Sequence, residues 1–289
     1  FLLTILSTDN NQNLYLLSIV ICLLPLVIIS SVEDFFHNIR PIFRLISIFF
    51  SALLLITYTD ITLPTLELPI IKLLFQFEYI KYLFFILCLA SLANGMNIID
   101  GANGLLGFTT ICQIFSIIFL ASTVNDISVL NLCYVFLIPL IIFMLFNYPF
   151  GSIFAGDTGA YFFGFFIGFI IILFFGKHPT ISSWNAVLIL FYPIFEVIFS
   201  FFRKIYFKKS PFKPDPNHLH LKLFFYLEQK FKSKKIANNT TTMVLSFLWA
   251  LPVLMLPFVY QNTYIIFFAI SFLIVLYISF YLCIPKTRI

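Results

Sequence analysis

Charge is what this sequence has least of. Lys, Arg, Asp and Glu make up 10% of 289 residues and hydrophobic side chains 61%, whereas soluble globular domains carry about 25% charged residues. A large water-exposed fold is excluded. No internal repeat is present, and no Gly- or Ser-rich linker divides the chain, so residues 1–289 read as a single membrane domain. Cys22, Cys88, Cys112, Cys133 and Cys283 lie inside apolar stretches at no metal-ligand spacing; they imply no disulfide framework and read as small hydrophobes. Alternation typical of lipid-facing strands is absent, which removes a β-barrel. Phe1 is no initiator methionine, and the first thirteen residues have neither the basic flank nor the cleavage site of a secretory signal. We read the chain as N-terminally truncated, starting inside a longer protein.

What is present is apolar length. Nine stretches, at about 14–32, 41–58, 79–97, 104–122, 130–147, 157–176, 184–202, 243–260 and 263–284, reach or approach the ~20 residues a spanning helix needs. Backbone polar groups in lipid must be satisfied within the segment, which selects helices. The expected fold is all-α, a polytopic transmembrane helical bundle of about nine spans. The 41 phenylalanines carry no function in this reading, because Phe, Ile and Leu are interchangeable toward lipid.

Lys and Arg set the orientation, since cytoplasmic loops are enriched in them. The 203–241 connection holds Arg203, Lys204, Lys208, Lys209, Lys213, Lys222, Lys230, Lys232, Lys234 and Lys235. With that loop inside, helix counting also puts Arg40, Arg44, Lys286 and Arg288 inside, and only Lys72, Lys81 and Lys177 outside. The basic face suits anionic head groups or phosphate-bearing substrates, and nucleic acid is a poor partner for it. The same counting places four polar clusters on the cytoplasmic side, while the outer connections around 59–78, 123–129 and 177–183 carry no comparable constellation. One site assembled from four loops is the expectation. A transporter would instead place polar residues near the mid-plane and on both sides.

The first cluster is Glu33-Asp34. Adjacent carboxylates can hold a divalent cation or divide into base and orienting group; equally, they can be a solvated loop at the N-terminus of the following helix. The second, NGMNIIDGANGLLG, spaces Asn94, Asn97, Asp100 and Asn103 three apart, a polar stripe if the segment is helical. Gly101 and Gly104 then break the helix and admit a ligand to the backbone. One or two such amides could serve helix packing, but a run of four at membrane depth points to a site.

The third cluster sets Asp157 between glycines at the start of a span. Mg²⁺ takes only one or two protein carboxylates beside waters and phosphates, and the helix N–H groups there can face a phosphate; alternatively Asp157 merely caps the helix. The fourth, PDPNHLHLKLF, puts His218 and His220 two apart, aimed alike only if extended. Two histidines do not make a zinc site. With Lys213 and Lys222 they suit a pyrophosphate, or else form a solvated interfacial segment. Glu196, inside a span, reads as structural, with Arg203 or Lys204 two turns below as partners.

Together these residues resemble the polyprenyl-phosphate N-acetylhexosamine-1-phosphate transferases, glycosyltransferase family 4, which include the phospho-MurNAc-pentapeptide transferase. The family's acidic pair is similar to Glu33-Asp34, its Asn-rich aspartate motif to Asn94–Gly104, its glycine-aspartate motif to Gly156-Asp157-Thr158-Gly159, and its histidine motif to His218-Leu219-His220. The resemblance implies transfer of a sugar 1-phosphate from a UDP-N-acetylhexosamine to a membrane polyprenyl phosphate, releasing UMP. It implies Mg²⁺, with Mn²⁺ as a substitute, held by Asp157 with Asp100. Glu33, Asp34 and Asp100 would be catalytic; Asn94, Asn97, Asn103, His218, His220 and Lys222 would bind substrate. A multi-pass protein of the inner membrane is implied, its site facing the cytoplasm, with a second copy of the chain as a further partner. Many relatives have Asp-Asp at Glu33-Asp34 and Asp at Asn103; an Asn ligates but cannot act as a base. Leu221 stands where the peptidoglycan-type subgroup has a third histidine, and the family usually has further helices before the acidic pair.

Overall fold

The computed structural model describes residues 10–59, 61–208, 210 and 215–285; Lys209, Lys213, Lys286 and Arg288 lie outside them. The described residues form thirteen helices: α1 (Asn10–Phe36), α2 (Pro41–Tyr58), α3 (Pro69–Leu74), α4 (Glu78–Ile99), α5 (Leu105–Thr123), α6 (Ile127–Asn147), α7 (Gly156–Lys177), α8 (Trp184–Ile189), α9 (Phe191–Tyr206), α10 (Leu219–Phe231), α11 (Lys234–Val244), α12 (Ser246–Val259) and α13 (Thr263–Cys283). Among the described residues eight segments are long and apolar enough to cross a membrane, α11 and α12 counting as one. The all-α polytopic bundle is therefore as expected.

The seventh apolar stretch, 184–202, is not one helix. It divides into α8 and α9 around Leu190, three residues before Pro193, whose missing N–H and bulky ring disturb the preceding turn. Its backbone bonds nevertheless continue across the break, from Leu190 N–H to Ala186 and from Ile194 N–H to Leu190.

Two compact units are present. The first comprises Phe1–Asn97, Ile117–Pro139 and Ala155–Ser183, the second Ile98–Ser116, Leu140–Phe154 and Trp184–Ile289. In the first, α1 packs on α2 and α7, and fourteen of the 22 residues of α7 are buried, including Phe165, Phe166, Phe169, Phe174 and Phe175. These phenylalanines face protein. Gly164 lets α7 approach α4 closely, because a Cβ there would lie 2.8 Å from the Ala93 Cα. In the second unit α10 packs on α11, and α13 on α8 and α12.

Candidate functional site

In the first unit, the start of α7 explains the acidic pair. The first helical N–H groups have no partner in their own helix, and Ala155 at the N-cap supplies no side-chain acceptor. Asp34, at the end of α1, supplies it. Its Oδ1 accepts the Asp157 N–H at 2.8 Å, and its Oδ2 accepts the Thr158 N–H at 3.0 Å and the Thr158 hydroxyl at 2.6 Å. Gly156 makes room: its φ is +65°, and a Cβ there would sit 2.7 Å from Asp34 Oδ2. Asp34 therefore caps α7, and not the following helix α2.

Capping by Asp34 fixes Asp157 in the first turn of α7. Its Oδ1 accepts from Asn97 Nδ2 at 2.8 Å, and its Oδ2 pairs with the Arg44 guanidinium. Arg44 Nη1 also lies 3.9 Å from Glu33 Oε1, while Glu33 Oε2 accepts the Ile39 N–H at 2.7 Å and shapes the α1–α2 turn. Two carboxylates, Glu33 and Asp157, thus flank one guanidinium, and Asp34 lies beside Asp157 at the start of α7; three negative charges against one positive leave enough to balance one divalent cation. Asp157 is half-buried, its side chain 24% exposed, and only two of the roughly four lone-pair positions of its carboxylate are taken. Oxygen-only donors with residual negative charge fit a hard cation such as Mg²⁺. Among the described residues no three His, Cys, Asp or Glu side chains form a ligand cluster.

The second cluster departs from a helical stripe. Helix α4 ends at Ile99, where Gly101 N–H turns back to the Ile99 carbonyl at 2.8 Å, so only Asn94 and Asn97 share a helix. Asn94 Nδ2 bonds to Ala90 of its own helix at 3.2 Å. Asp100 is half-buried just beyond α4. Asn103, in the second unit, is stitched to α11: its N–H donates to Asn238 Oδ1 at 2.6 Å, its Nδ2 to Asn239 Oδ1 at 3.3 Å, and its carbonyl accepts from Thr242 at 2.7 Å. Asn147 Oδ1 takes the next N–H, of Gly104, at 2.6 Å. Asn238, Asn239 and Thr242 were not singled out from the sequence; the run IANNTTT, where the basic connection meets the next apolar stretch, was the available signal.

His218 is the extended N-cap of α10 and His220 lies in its first turn, yet their rings stack with centroids 5.9 Å apart at 11°. Both are buried, which excludes a solvated interfacial segment. His220 packs against Gly101, where any Cβ would collide with its ring, and its Nδ1 has no hydrogen-bond partner among the described residues. Burial, opposed by Glu196 and reinforced by His218, pushes the His220 imidazole down to about 4. Lys222 Nζ donates to the Tyr281 carbonyl at 2.8 Å and lies 4.3 Å above that ring's centroid.

Glu196 is fully buried, but its partners are His218, Leu219 and Tyr277, not Arg203 or Lys204. Arg203 instead clasps Asp215 at 2.5 Å, the Asn217 carbonyl and the Tyr281 hydroxyl. Burial works against an ionised Asp215, but the Asn217 N–H and Arg203 outweigh it and hold the carboxyl at about 2. In the first unit, connections that helix counting places outside do carry a small cluster: Asp126 meets His178 Nε2 at 2.9 Å and Lys177 Nζ at 3.8 Å, and Ser182 donates to Glu67 at 3.0 Å.

A polytopic helical membrane protein with a carboxylate cluster at a helix N-terminus is the class these observations define. Residues 16–175 match the family described as Glycosyl transferase family 4, and the chain belongs to that family. It is 26% identical over 176 residues to a probable undecaprenyl-phosphate N-acetylglucosaminyl 1-phosphate transferase of Bacillus subtilis, covering 60% of this chain and 49% of the relative. Identity is again 26%, over 222 residues, to the undecaprenyl-phosphate alpha-N-acetylglucosaminyl 1-phosphate transferase of Thermotoga maritima, covering 75% and 63%. A phospho-N-acetylmuramoyl-pentapeptide-transferase of Campylobacter jejuni is 26% identical over 266 residues, covering 78% and 70%. The chain thus spans about half to two thirds of these relatives.

Proposed function

We propose that this chain transfers N-acetylhexosamine 1-phosphate from a UDP-sugar to a polyprenyl phosphate, undecaprenyl phosphate in the first instance, yielding the polyprenyl-diphosphate sugar and UMP. A polyprenyl-phosphate oxygen forms the new bond to the sugar-bearing phosphorus, and the bond between that phosphorus and the bridging oxygen breaks, so UMP leaves with the bridge. Family membership supports the reaction class. The observation that carries the reading is Asp157, fixed by Asp34 at a helix N-terminus beside Arg44 and Asn97.

Phosphoryl transfer asks mainly for positioning and charge neutralisation. Asp157 would hold the Mg²⁺, with Asn97 fixing its carboxylate. When bound, that ion supplies neutralisation of the diphosphate charge. Asp34 is committed to the α7 backbone, which leaves Glu33, whose Oε1 has among the described residues only Arg44, at 3.9 Å, as a charged partner, to orient the acceptor phosphate. Arg44 offers its cation to the same phosphate. Asp100 keeps the catalytic and metal-binding role, and Asn94, Asn103, His218, His220 and Lys222 the substrate-binding roles, that the family resemblance implies. The excess of Lys and Arg on one side supports a cytoplasmic-membrane protein with its chemistry facing the cytoplasm.

Purified protein with undecaprenyl phosphate, Mg²⁺ and a panel of UDP-sugars should release UMP only when lipid and one UDP-N-acetylhexosamine are both present. No UMP with any sugar, or solute flux in its place, would refute the proposal. The Campylobacter jejuni relative favours UDP-MurNAc-pentapeptide as the second donor to include; preference for it would shift the reading to the peptidoglycan-type transferase.

A further inference from the structure

Glu196 lies at 0% exposure, where an anion persists only if its oxygens are hydrogen-bonded. Three donors from two further elements meet it. His218 Nδ1 is 2.9 Å and the Leu219 N–H 3.2 Å from Oε1, and the Tyr277 hydroxyl is 2.5 Å from Oε2. We propose that Glu196 is a positioning residue that fixes the tautomer and ring orientation of His218, so that Nε2 is the nitrogen presented to the phosphates of the substrate. This rests on the transferase reading for the identity of what His218 meets.

A carboxylate only accepts, and Leu219 already donates to the oxygen that faces Nδ1. That nitrogen must therefore carry its proton, and the hydrogen bond of one ring nitrogen determines the state of the other. Nε2 makes no hydrogen bond among the described residues. A purely structural pair would hold the segment rather than the ring, but the segment has its own anchor. Arg203 binds Asp215, the Asn217 carbonyl and the Tyr281 hydroxyl, and Asp215 accepts the Asn217 N–H at 2.9 Å. Removing the charge at Glu196 should thus release the imidazole while α10 stays in place. Because the His218 and His220 rings stack at 11°, a turned His218 also disturbs His220.

The test combines an imidazole signal with kinetics. In protein labelled with ¹⁵N-histidine, wild-type His218, assigned by its loss in His218→Ala, should show Nδ1 protonated. Glu196→Gln, whose amide can still meet Tyr277, should show mixed tautomers. Outer-layer partners of this kind are commonly worth on the order of 10- to 100-fold, so UMP release should fall by that factor in Glu196→Gln. In a His218→Ala background the same substitution should cost under about twofold, since coupled residues are non-additive. An unchanged Nδ1 signal, or equal losses in both backgrounds, would overturn the inference. If Glu196→Gln does not accumulate folded, Glu196→Asp, which withdraws the anion by one methylene, takes its place in both measurements, and the same results support or overturn the pairing. Wild-type protein that releases no UMP would refute the transferase reading instead, and the imidazole signal would then decide this pairing alone.

Discussion

Replacing Asp34 should loosen the start of α7 before it touches any chemistry. Three hydrogen bonds converge on this carboxylate. At about 1.5–3 kcal/mol for each bond to a charged group, their sum would far exceed the effect of an ordinary cap. Asp34 is only half-buried, however, so water can refill the vacated acceptor positions. The scale is then that of N-cap removal, about 0.5–2 kcal/mol, plus about 0.3–1 kcal/mol for the lost anion at a helix N-terminus. We expect Asp34→Ala to cost roughly 2 kcal/mol, and Asp34→Asn about half of that, because its one oxygen still accepts. Unfolding in mixed detergent–SDS micelles measures the loss, and amide exchange at Asp157 and Thr158 localises it, with opening at least tenfold more frequent. Wild-type midpoints together with unchanged exchange at those two amides would show that Asp34 does not cap the helix.

Asp157→Asn should reduce UMP release at least 100-fold by order of magnitude, while the protein stays folded and loses only about 1–3 kcal/mol of stability, the worth of a hydrogen bond to a charged group. Gly101→Ala should push the His220 ring aside, destabilise by roughly 1–3 kcal/mol as overpacking does, and lower turnover; a wild-type melt and turnover would contradict the contact. His220 titrates at about 4 in the folded protein, below its unfolded value of about 6.5. Stability from its neutral form is therefore complete above about pH 6.5 and is lost as pH falls from there toward 4, and His220→Gln should flatten that limb of a stability–pH curve. Asp215, held at about 2, should make a second loss between about pH 4 and 2, absent in Asp215→Asn.

The helices were legible because lipid imposes length and apolarity on each segment separately, and eight of the nine apolar stretches are single spanning segments. The break at Leu190 was written in Pro193 but looked like part of a span, since its flanks are equally apolar. Gly101 and Gly104 announced the end of α4. The stripe of four polar residues nevertheless failed, because α4 ends at Ile99, where the Gly101 N–H turns back, so neither Asp100 nor Asn103 continues the helix. Asp34 was visible as an acidic residue, but its capping role was not, since its partners lie 123 and 124 positions away and cap signals are read within a few residues. Glu196 showed the same limit. A buried carboxylate demanded a cation or donor, and the nearest candidates in sequence, Arg203 and Lys204, lost to His218 and Tyr277, which only tertiary packing could bring there. Arg44 was counted for topology alone, although a lone cation one turn into an apolar helix beside an acidic pair was a signal.

Following a ³²P label on the β-phosphate of UDP-N-acetylglucosamine tests the central claim most directly. The sugar-bearing phosphorus should move with its sugar, so the label should enter the organic-soluble lipid in proportion to UMP formed, and both should vanish without undecaprenyl phosphate. Label left in water-soluble UDP while sugar enters the lipid would mean that the glycosidic bond breaks, and the account of Asp157 as the holder of a diphosphate-binding cation would fall with it.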